Sequence, residues 1–375
     1  MKGPLAGIRV IEVGHMLMGP YCGMLLADLG AEVIKIEPAT GDIARTIGPN
    51  WVGRHNVYFA SLNRNKESVV LDLATEDGQQ ALGELLKTAR ALVTNLRPAA
   101  IKKLGLTYDR LKRWNPDLVC VALTGYGLES PYSERPAYDY VIQALTGVMN
   151  LTGDPAGPPT KTGYSAVDNS TALMGAVGLL AKLVEGKGGQ VDIAMYDTML
   201  SQLNYVASAW LNAGESSKRY SDSAHPYIVP AQNFRTADGW LTLFVTHNEF
   251  WRLFCEEVGH AEWLEDERFA TNPRRVENRA LVNATLQAVI ETQSVNHWVD
   301  VLEKAGVPGA PLQTIDQVVA HPQTLALGMV QTAPGTDMKL LGLPVSFNGE
   351  RPPLRNAPPA LGADTSEILK SKNKN

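Results

Sequence analysis

Ile8–Glu37, IRVIEVGHMLMGPYCGMLLADLGAEVIKIE, is the stretch whose reading decides the fold. Ile8–Val13 is an almost unbroken apolar run of strand length, the pattern of a buried strand. Gly14 turns the chain, Tyr21–Leu29 reads as a helix, and Gly30 closes it. Ala31–Glu37 is then a second strand. A strand, a helix and a strand within about 30 residues predict two parallel strands joined by a right-handed crossover. The turn carries glycines at 14, 19 and 23, not the GxGxxG of a dinucleotide site. No P-loop, HExxH or GxSxG occurs elsewhere.

The alternation continues outward from this unit. Val69–Leu73 reads as a strand, Thr75–Ala89 as a helix, and Ala91–Asn95 as a strand. Pro98–Leu104 and Tyr108–Asn115 are short helical pieces, and Leu118–Thr124 is the next strand. This is the pattern of an α/β, doubly wound domain. Tyr140–Leu151 is expected to be helical, and a Gly/Pro-rich loop, Gly153–Pro159, follows it. Tyr164–Leu183 reads YSAVDNSTALMGAVGLLAKL, with apolar positions from Ala172 onward recurring at helical steps. Gln190–Asp192 opens a further strand, and Tyr196–Leu211 is expected as one long helix.

Composition shifts at Ala213–Tyr220 (AGESSKRY). A large domain over 1–212, a linker over 213–221 and a smaller α+β domain over 222–320 follow from that break. In the smaller domain Ala237-Asp238-Gly239 reads as a hairpin turn. Asn248–Gly259, Asn278–Thr292 and Val295–Ala305 read as amphipathic helices. Residues 321–375 form a linker and tail, Pro-rich from Gly342, which must lie along another part of the protein because it has no periodicity for its own core.

The chain has 375 residues, 45% hydrophobic and 19% charged, with a formal net charge of -5, an ordinary soluble profile. The mild acidity argues against a general nucleic-acid binder. Cys22, Cys120 and Cys255 lie far apart without a CxxC pair, which argues against zinc clusters and disulfides and suggests a reducing cytoplasm. The first 20 residues lack a signal-peptide core, and no uninterrupted apolar run approaches bilayer-spanning length. No metal site, membrane partner or nucleic-acid partner is expected.

Candidate chemistry collects at the carboxyl ends of the expected strands. These are His15–Pro20 after the first, Asp72 within the third, Asn95-Leu96-Arg97-Pro98 after the fourth, and Gly125-Tyr126-Gly127 after the fifth. Arg97, Lys102 and Lys103 could hold a phosphate or could simply be a solvated face. Gly41-Asp42 with Arg45 looks like a helix start with an i,i+3 ion pair, and Asp139 looks like a helix cap. Asp168 has two readings that local sequence leaves open. It is a helix N-cap, or it is a carboxylate held beside orphan N–H groups and used as a nucleophile.

Taken in order, several segments are similar to one family. They are Gly19-Pro20 with LLADLGAEVIKIEPATGD, SLNRNKESVVLDL, NLRPAAIKKLGL, LTGYG, YSAVDNSTALMGAVGLLAKL, HPYIVPAQNFRTADGW and GVPGAPL. The chain resembles the family III CoA-transferases, the group of formyl-CoA transferase and the carnitine CoA-transferases, which also holds the α-methylacyl-CoA racemases. The resemblance runs from Leu5 to about Gly362. It implies a Rossmann-like large domain, a small domain, a C-terminal segment returning to the large one, and an interlocked homodimer. It implies that Asp168 is the nucleophile. By the same carry-over, CoA contacts fall on Leu17, Met18, Leu71, Asp72, Leu73, Ala74, Asn95, Leu96, Arg97 and Lys103. They also fall on Ala137, Tyr138 and Asp139, with Arg135 standing in for a lysine that the family often has near Pro136. Lys103 stands where the family often has arginine. The acyl pocket is expected to involve His15, Met18 and Tyr138, with residues of the other subunit's small domain.

The implied reaction moves CoA from an acyl-CoA to a carboxylic acid through an aspartyl-CoA thioester, with CoA as a substrate and no tightly bound cofactor. A carboxylate of ordinary pKa near 4 would be charged at pH 7 without help. Two rivals stand beside it. The racemase branch carries a Gly-His-Asp motif where this chain has Ala137-Tyr138-Asp139, and a phenol is a poor base at neutral pH. A non-catalytic CoA-binding protein is the other rival, disfavoured because the nucleophile and CoA-loop positions hold usable residues. The GGGGQ loop of formyl-CoA transferase is absent from Ser216–Gln232, which argues against formyl/oxalate exchange. Succinyl-CoA or acetyl-CoA as donor, with a short dicarboxylic or branched acid as acceptor, is the expectation by analogy.

Overall fold

The computed structural model describes residues 3–370, which form two compact units. The first is Met1–Thr146, Gly163–Asn204 and Val319–Asn375; the second is Gly147–Thr162 and Tyr205–Val318. The passages between units therefore come at 204/205 and 318/319, earlier than the composition shift suggests. Residues 147–162 group with the second unit.

The first unit runs β1 (Arg9–Val13), α1 (Met18–Asp28) and β2 (Glu32–Glu37), then a two-residue hairpin of β3 (Trp51–Val52) and β4 (His55–Asn56). It continues with α2 (Val57–Asn63), β5 (Lys66–Val70), α3 (Glu76–Leu86), β6 (Ala91–Thr94), α4 (Pro98–Lys103) and α5 (Tyr108–Leu111). β7 (Val119–Thr124) and α6 (Asp139–Leu145) follow. The chain then visits the second unit with α7 (Val148–Leu151) and returns with α8 (Ala166–Glu185), β8 (Gly189–Ala194) and α9 (Met195–Gln202). The six long strands form one parallel sheet in the order β5-β2-β1-β6-β7-β8. The chain builds outward from β1 to β5, then restarts at β6 and builds the other way. That reversal opens a crevice between the carboxyl ends of β1 and β6, where α/β sheets bind ligands.

One face of the sheet buries Ile11, Ile34, Val69 and Leu92 against Leu82, Leu85 and Leu86 of α3 and Ile101 of α4. α8 packs beside α1 and approaches β7 so closely that a Cβ at Gly175 would come 2.6 Å from Leu123 Cδ2. α8 is the one helix among the described residues long and apolar enough to cross a membrane by length and composition.

Four local expectations need correction. The third strand is Lys66–Val70, not Val69–Leu73, because its polar residues are buried by pairing: Lys66 with Glu12 and Ser68 Oγ with Glu37. Asp72 therefore sits in the turn after the strand, accepting from Ala74 N–H at 3.0 Å. Tyr140–Leu151 is two helices, since Gly147 adopts φ 82° between them. Tyr196–Leu211 is likewise two, α9 and α10 (Asn204–Ala213), broken where Asn204 takes φ 22°. Arg45 pairs with Glu37 at 2.6 Å and not with Asp42, whose partner is Lys35 at 3.0 Å.

The second unit holds an antiparallel sheet ordered β11-β10-β9, from Gly309–Pro311, Trp240–Phe244 and Ala231–Arg235. The hairpin turn falls where expected, with Thr236 N–H donating to Gly239 O at 3.0 Å. α11 (Asn248–Glu257), α12 (Asn272–Glu277), α13 (Arg279–Ile290) and α14 (Val295–Ala305) follow β10 in sequence. Their apolar sides close a core around Trp251, Phe254, Leu286 and Trp298.

The tail belongs to the first unit. The hairpin of β12 (Val330–Thr332) and β13 (Lys339–Leu341) buries Met338 and Leu340 with Ala60. Beyond it the chain lies along β5, the edge strand. Asn65 Oδ1 accepts from the N–H groups of Arg355 and Asn356, and Ser68 N–H donates to Asp364 Oδ2 at 2.8 Å. Covering an edge strand in this way blunts edge-to-edge pairing.

At the centre of the sheet Glu12, fully buried, lies between Lys35 at 2.8 Å and Lys66 at 2.7 Å. Gly23 of α1 passes over it so closely that an added Cβ would come 2.0 Å from Glu12 Oε2. Gly23→Ala is therefore expected to cost at least the roughly 1–3 kcal/mol of ordinary overpacking. Urea unfolding at pH 7.5 checks this; stability equal to wild type would mean that the carboxylate is not lodged under α1.

Candidate active site

The crevice is bounded by two loops, one after β1 and one after β6. Asn95 bridges them: its Oδ1 accepts from His15 N–H and its Nδ2 donates to His15 O, both at 3.0 Å. Gly14 and Gly19 make room for it, because a Cβ at either would come 2.5 or 2.6 Å from Asn95 Oδ1. Met16 is held with φ 66°, an uncommon conformation for a side-chain-bearing residue, and its N–H donates to Asp42 Oδ1 at 3.0 Å.

Two adjoining cavities share His15 and Leu96 as walls. The larger, about 510 Å³, is mostly apolar, lined by Ile36, Pro38, Ile43, Leu71, Leu73 and Leu104, with Asp72 and Ala74 at one side. The smaller, about 300 Å³, is lined by Met16, Leu17 and Met18 of the first loop and by Arg97 of the second. Arg135, Ala137 and Tyr138 add a third wall, and Tyr58 and Asp168 complete it. Arg135 lies 3.6 Å over the Tyr132 ring, which meets Tyr126 edge-on. Burial, helped by the charges of Arg97 and Lys35, pulls the His15 pKa below its usual value, so its imidazole is neutral at pH 7.

Asp168 stands in the first turn of α8, not at its cap. Ser165 holds the cap position without a side-chain bond. The orphan donors are met from another helix: Asp139 Oδ2 accepts from Val167 N–H at 2.8 Å and from Asp168 N–H at 3.3 Å. Gln143 donates to the other oxygen, Oδ1, at 2.6 Å. This arrangement overturns two sequence readings. Asp139 caps α8 rather than its own helix, and Asp168 is released from capping.

It also overturns the expectation of an ordinary acidity at Asp168. Burial, then the like charge of Asp139, push its pKa up to about 7. Desolvation of this kind raises the basicity of a carboxylate and weakens the water shell that blunts its attack.

The structure brings together most of the expected residues. Leu17, Met18, Asn95, Leu96, Arg97, Arg135, Ala137 and Tyr138 share a cavity with Asp168, while Leu71–Ala74 line the adjoining one. Two do not join them. Lys103 is exposed at the end of α4 and lines neither cavity. Asp139 is buried and lines neither cavity, its oxygens accepting from the start of α8 and from Gln143. Tyr58 is the residue that sequence reading missed. Burial, then the charges of Asp168 and Asp42, raise its pKa, which places it in the electrostatic field of the candidate nucleophile. The signal that could have found it is Asn56, which caps α2 by accepting from Phe59 N–H. Among the described residues no cluster of three His, Cys, Asp or Glu could hold a metal ion.

The acetyl-CoA:oxalate CoA-transferase of Acetobacter aceti is 35% identical over 98% of this chain and 96% of its own length. The human succinyl-CoA:glutarate CoA-transferase is 32% identical over 98% of this chain and 85% of its own. Among solved structures, a CAIB/BAIF family protein from Brucella suis superposes with a TM-score of 0.88 at 34% identity, covering 99% of this chain and 100% of that one. The model of CoA-transferase family III matches residues 5–365. With that match over nearly its whole length, the chain belongs to CoA-transferase family III and is a CoA-transferring enzyme.

Proposed function

We propose that this enzyme moves CoA from a short acyl-CoA, succinyl-CoA or acetyl-CoA, to a small dicarboxylic acid, with Asp168 as the nucleophile. The observation that carries the reading is a desolvated Asp168 carboxylate on the wall of a cavity that also holds two arginines. Arg97 and Arg135 suit the diphosphate of CoA, and the apolar cavity beside them suits its adenine and pantetheine portions. The acceptors named for the two relatives above, oxalate and glutarate, are both dicarboxylic acids. Oxalate therefore returns to the acceptor panel despite the missing glycine loop.

The chemistry balances without an external base. Asp168 attacks the thioester carbonyl, the C–S bond breaks, and CoA leaves as thiolate from a mixed anhydride. The thiolate attacks the aspartyl carbonyl, expels the donor acid as carboxylate, and leaves an aspartyl-CoA thioester. The acceptor carboxylate attacks that thioester, and the thiolate then takes the acceptor acyl group, restoring Asp168.

The dimer is part of the same proposal. α6, α8 and α9 of the first unit present exposed apolar side chains, among them Val141, Leu145, Leu173, Val177 and Leu200. An interlocked second copy would cover such a surface. A second reading, proton exchange at the α-carbon of a 2-methylacyl-CoA, draws support from one feature. A carboxyl titrating near 7 shares its cavity with the neutral imidazole of His15, a possible acid–base pair.

Intact-mass analysis with a panel of acyl-CoAs separates these readings. A borohydride-sensitive gain of one CoA is expected on wild type and is expected to vanish in Asp168→Ala, with turnover lost by about three orders of magnitude or more. No adduct, with deuterium incorporation into a 2-methylacyl-CoA instead, would contradict the transferase reading. The pH dependence has a definite sign. Asp168 must be ionised to attack, so kcat/KM should fall about tenfold per pH unit below about 7 and level off above it. A profile flat down to pH 5 would mean that the carboxylate is not desolvated in the working enzyme.

A further inference from the structure

His15–Leu17, with Met18 at the start of α1, supply one wall of the Asp168 cavity, and the backbone from Gly14 to Pro20 is tied by Lys35, Lys66 and Asp42, the last of which also lines the larger cavity. Lys35 Nζ donates to Gly14 O at 2.9 Å, to Glu12 Oε1 at 2.8 Å, and faces Asp42 Oδ2 at 3.0 Å. Lys66 Nζ donates to Pro20 O and to Asn63 Oδ1, each at 2.8 Å, and faces Glu12 Oε2 at 2.7 Å. Each ammonium thus has two hydrogen-bond acceptors and one further carboxylate oxygen in ion-pair contact. Both lysines and both carboxylates have side chains with no exposure, and two positive charges balance two negative ones. Replacing such a cluster with apolar residues is often neutral or stabilising, so stability alone is a weak reason for it to be there.

The strained residue shows where the cluster acts. Met16 has φ 66°, and a conformation of that kind persists only where its surroundings over-determine it. Asp42 Oδ1 accepts from Met16 N–H, while its Oδ2 is fixed by Lys35 and its own N–H donates to Glu37 Oε2 at 2.9 Å. Met16, Leu17 and Met18 are the residues that this conformation turns toward the cavity of Asp168.

We propose that Asp42 is a positioning residue of the transferase: locked by Lys35, it holds Met16 in its left-handed conformation and so fixes the Leu17–Met18 wall against the substrate thioester. The proposal rests on the reading of Asp168 as nucleophile. Asp42 acts through Met16; because it also lines the larger cavity, the affinity measurement separates this role from a direct contact with acyl-CoA. A wall that must stay within a fraction of an ångström of a reacting carbonyl is sensitive to such an anchor, because about 1 Å of misplacement costs on the order of a hundredfold in rate.

The test compares Asp42→Ala, which removes both ties, with Asp42→Asn, which keeps an oxygen for Met16 but turns an amide donor toward Lys35. Three readouts are taken on the full chain: kcat and KM, acyl-CoA affinity by calorimetry, and hydrogen exchange of peptides covering 14–20. The expected result for Asp42→Ala is kcat down about tenfold or more, affinity within about threefold, and faster exchange in 14–20 than in β1 or β6. Asp42→Asn should fall between it and wild type. Wild-type kcat in folded Asp42→Ala, or a loss of kcat with unchanged exchange in 14–20, would overturn the proposal. If Asp42→Ala does not fold, Asp42→Asn decides: slowed turnover with faster loop exchange supports the anchor, and wild-type values for both overturn it. If wild type itself transfers no CoA, the nucleophile reading fails, and the exchange comparison still decides whether Asp42 anchors the loop.

Discussion

Glu12 is the constraint on which the first unit depends. A carboxylate in the middle of a parallel sheet, with no access to water, is tolerable only if compensated at once. Lys35 from β2 and Lys66 from β5 do this from two strands of the sheet; Lys35 also donates to Gly14 O in the loop after β1, and Lys66 to Pro20 O in α1 and to Asn63 Oδ1. The attraction of the lysines outweighs burial and holds Glu12 below the usual carboxylate range. Burial in turn brings Lys66 down to about 8. Three strands, one loop and the first turns of α1 are thereby fixed to a single carboxylate. Removing either lysine alone would leave a buried charge without its partner, which is why the cluster stands or falls as a unit.

A second carboxylate pair works in the opposite sense. Asp139 accepts the orphan N–H groups of α8, so the helix start is satisfied without help from its own residues. Asp168, one turn in, is left with burial and a like charge beside it. The same helix start that would ordinarily favour an anion is already occupied, and the balance at Asp168 tips toward the neutral form. Structure and reactivity are linked through that one arrangement. Burial first, and then the acid that caps the helix, make the other acid more basic.

Much of the fold was legible in the sequence because apolar strands and glycine-closed helices follow simple periods. β1, β2, β6 and β7 were found to within a residue or two at each end. β5 was not, since Lys66 and Ser68 look exposed until their partners Glu12 and Glu37 are known. The breaks at Gly147 and Asn204 leave no trace in hydrophobic periodicity. At the site, Asp168 and the loop residues were placed by resemblance. The raised pKa of Asp168 was not, because it depends on burial and on Asp139, 29 residues away in sequence. Tyr58 escaped notice because nothing in the segment between β2 and β5 repeats with a period. Asp42 was read as a helix start paired with Arg45; it does cap that turn, but its tie to Met16 spans 26 residues and is invisible to local reading.

The central claim is that Asp168 carries its charge in a desolvated site, and a direct titration tests it. Infrared difference spectra of wild type minus Asp168→Asn, recorded from pH 4 to 9, isolate the carboxyl and carboxylate bands of this one side chain. The account predicts a protonated band that disappears with a midpoint near 7. A midpoint near 4, the value of a solvated aspartate, would contradict it.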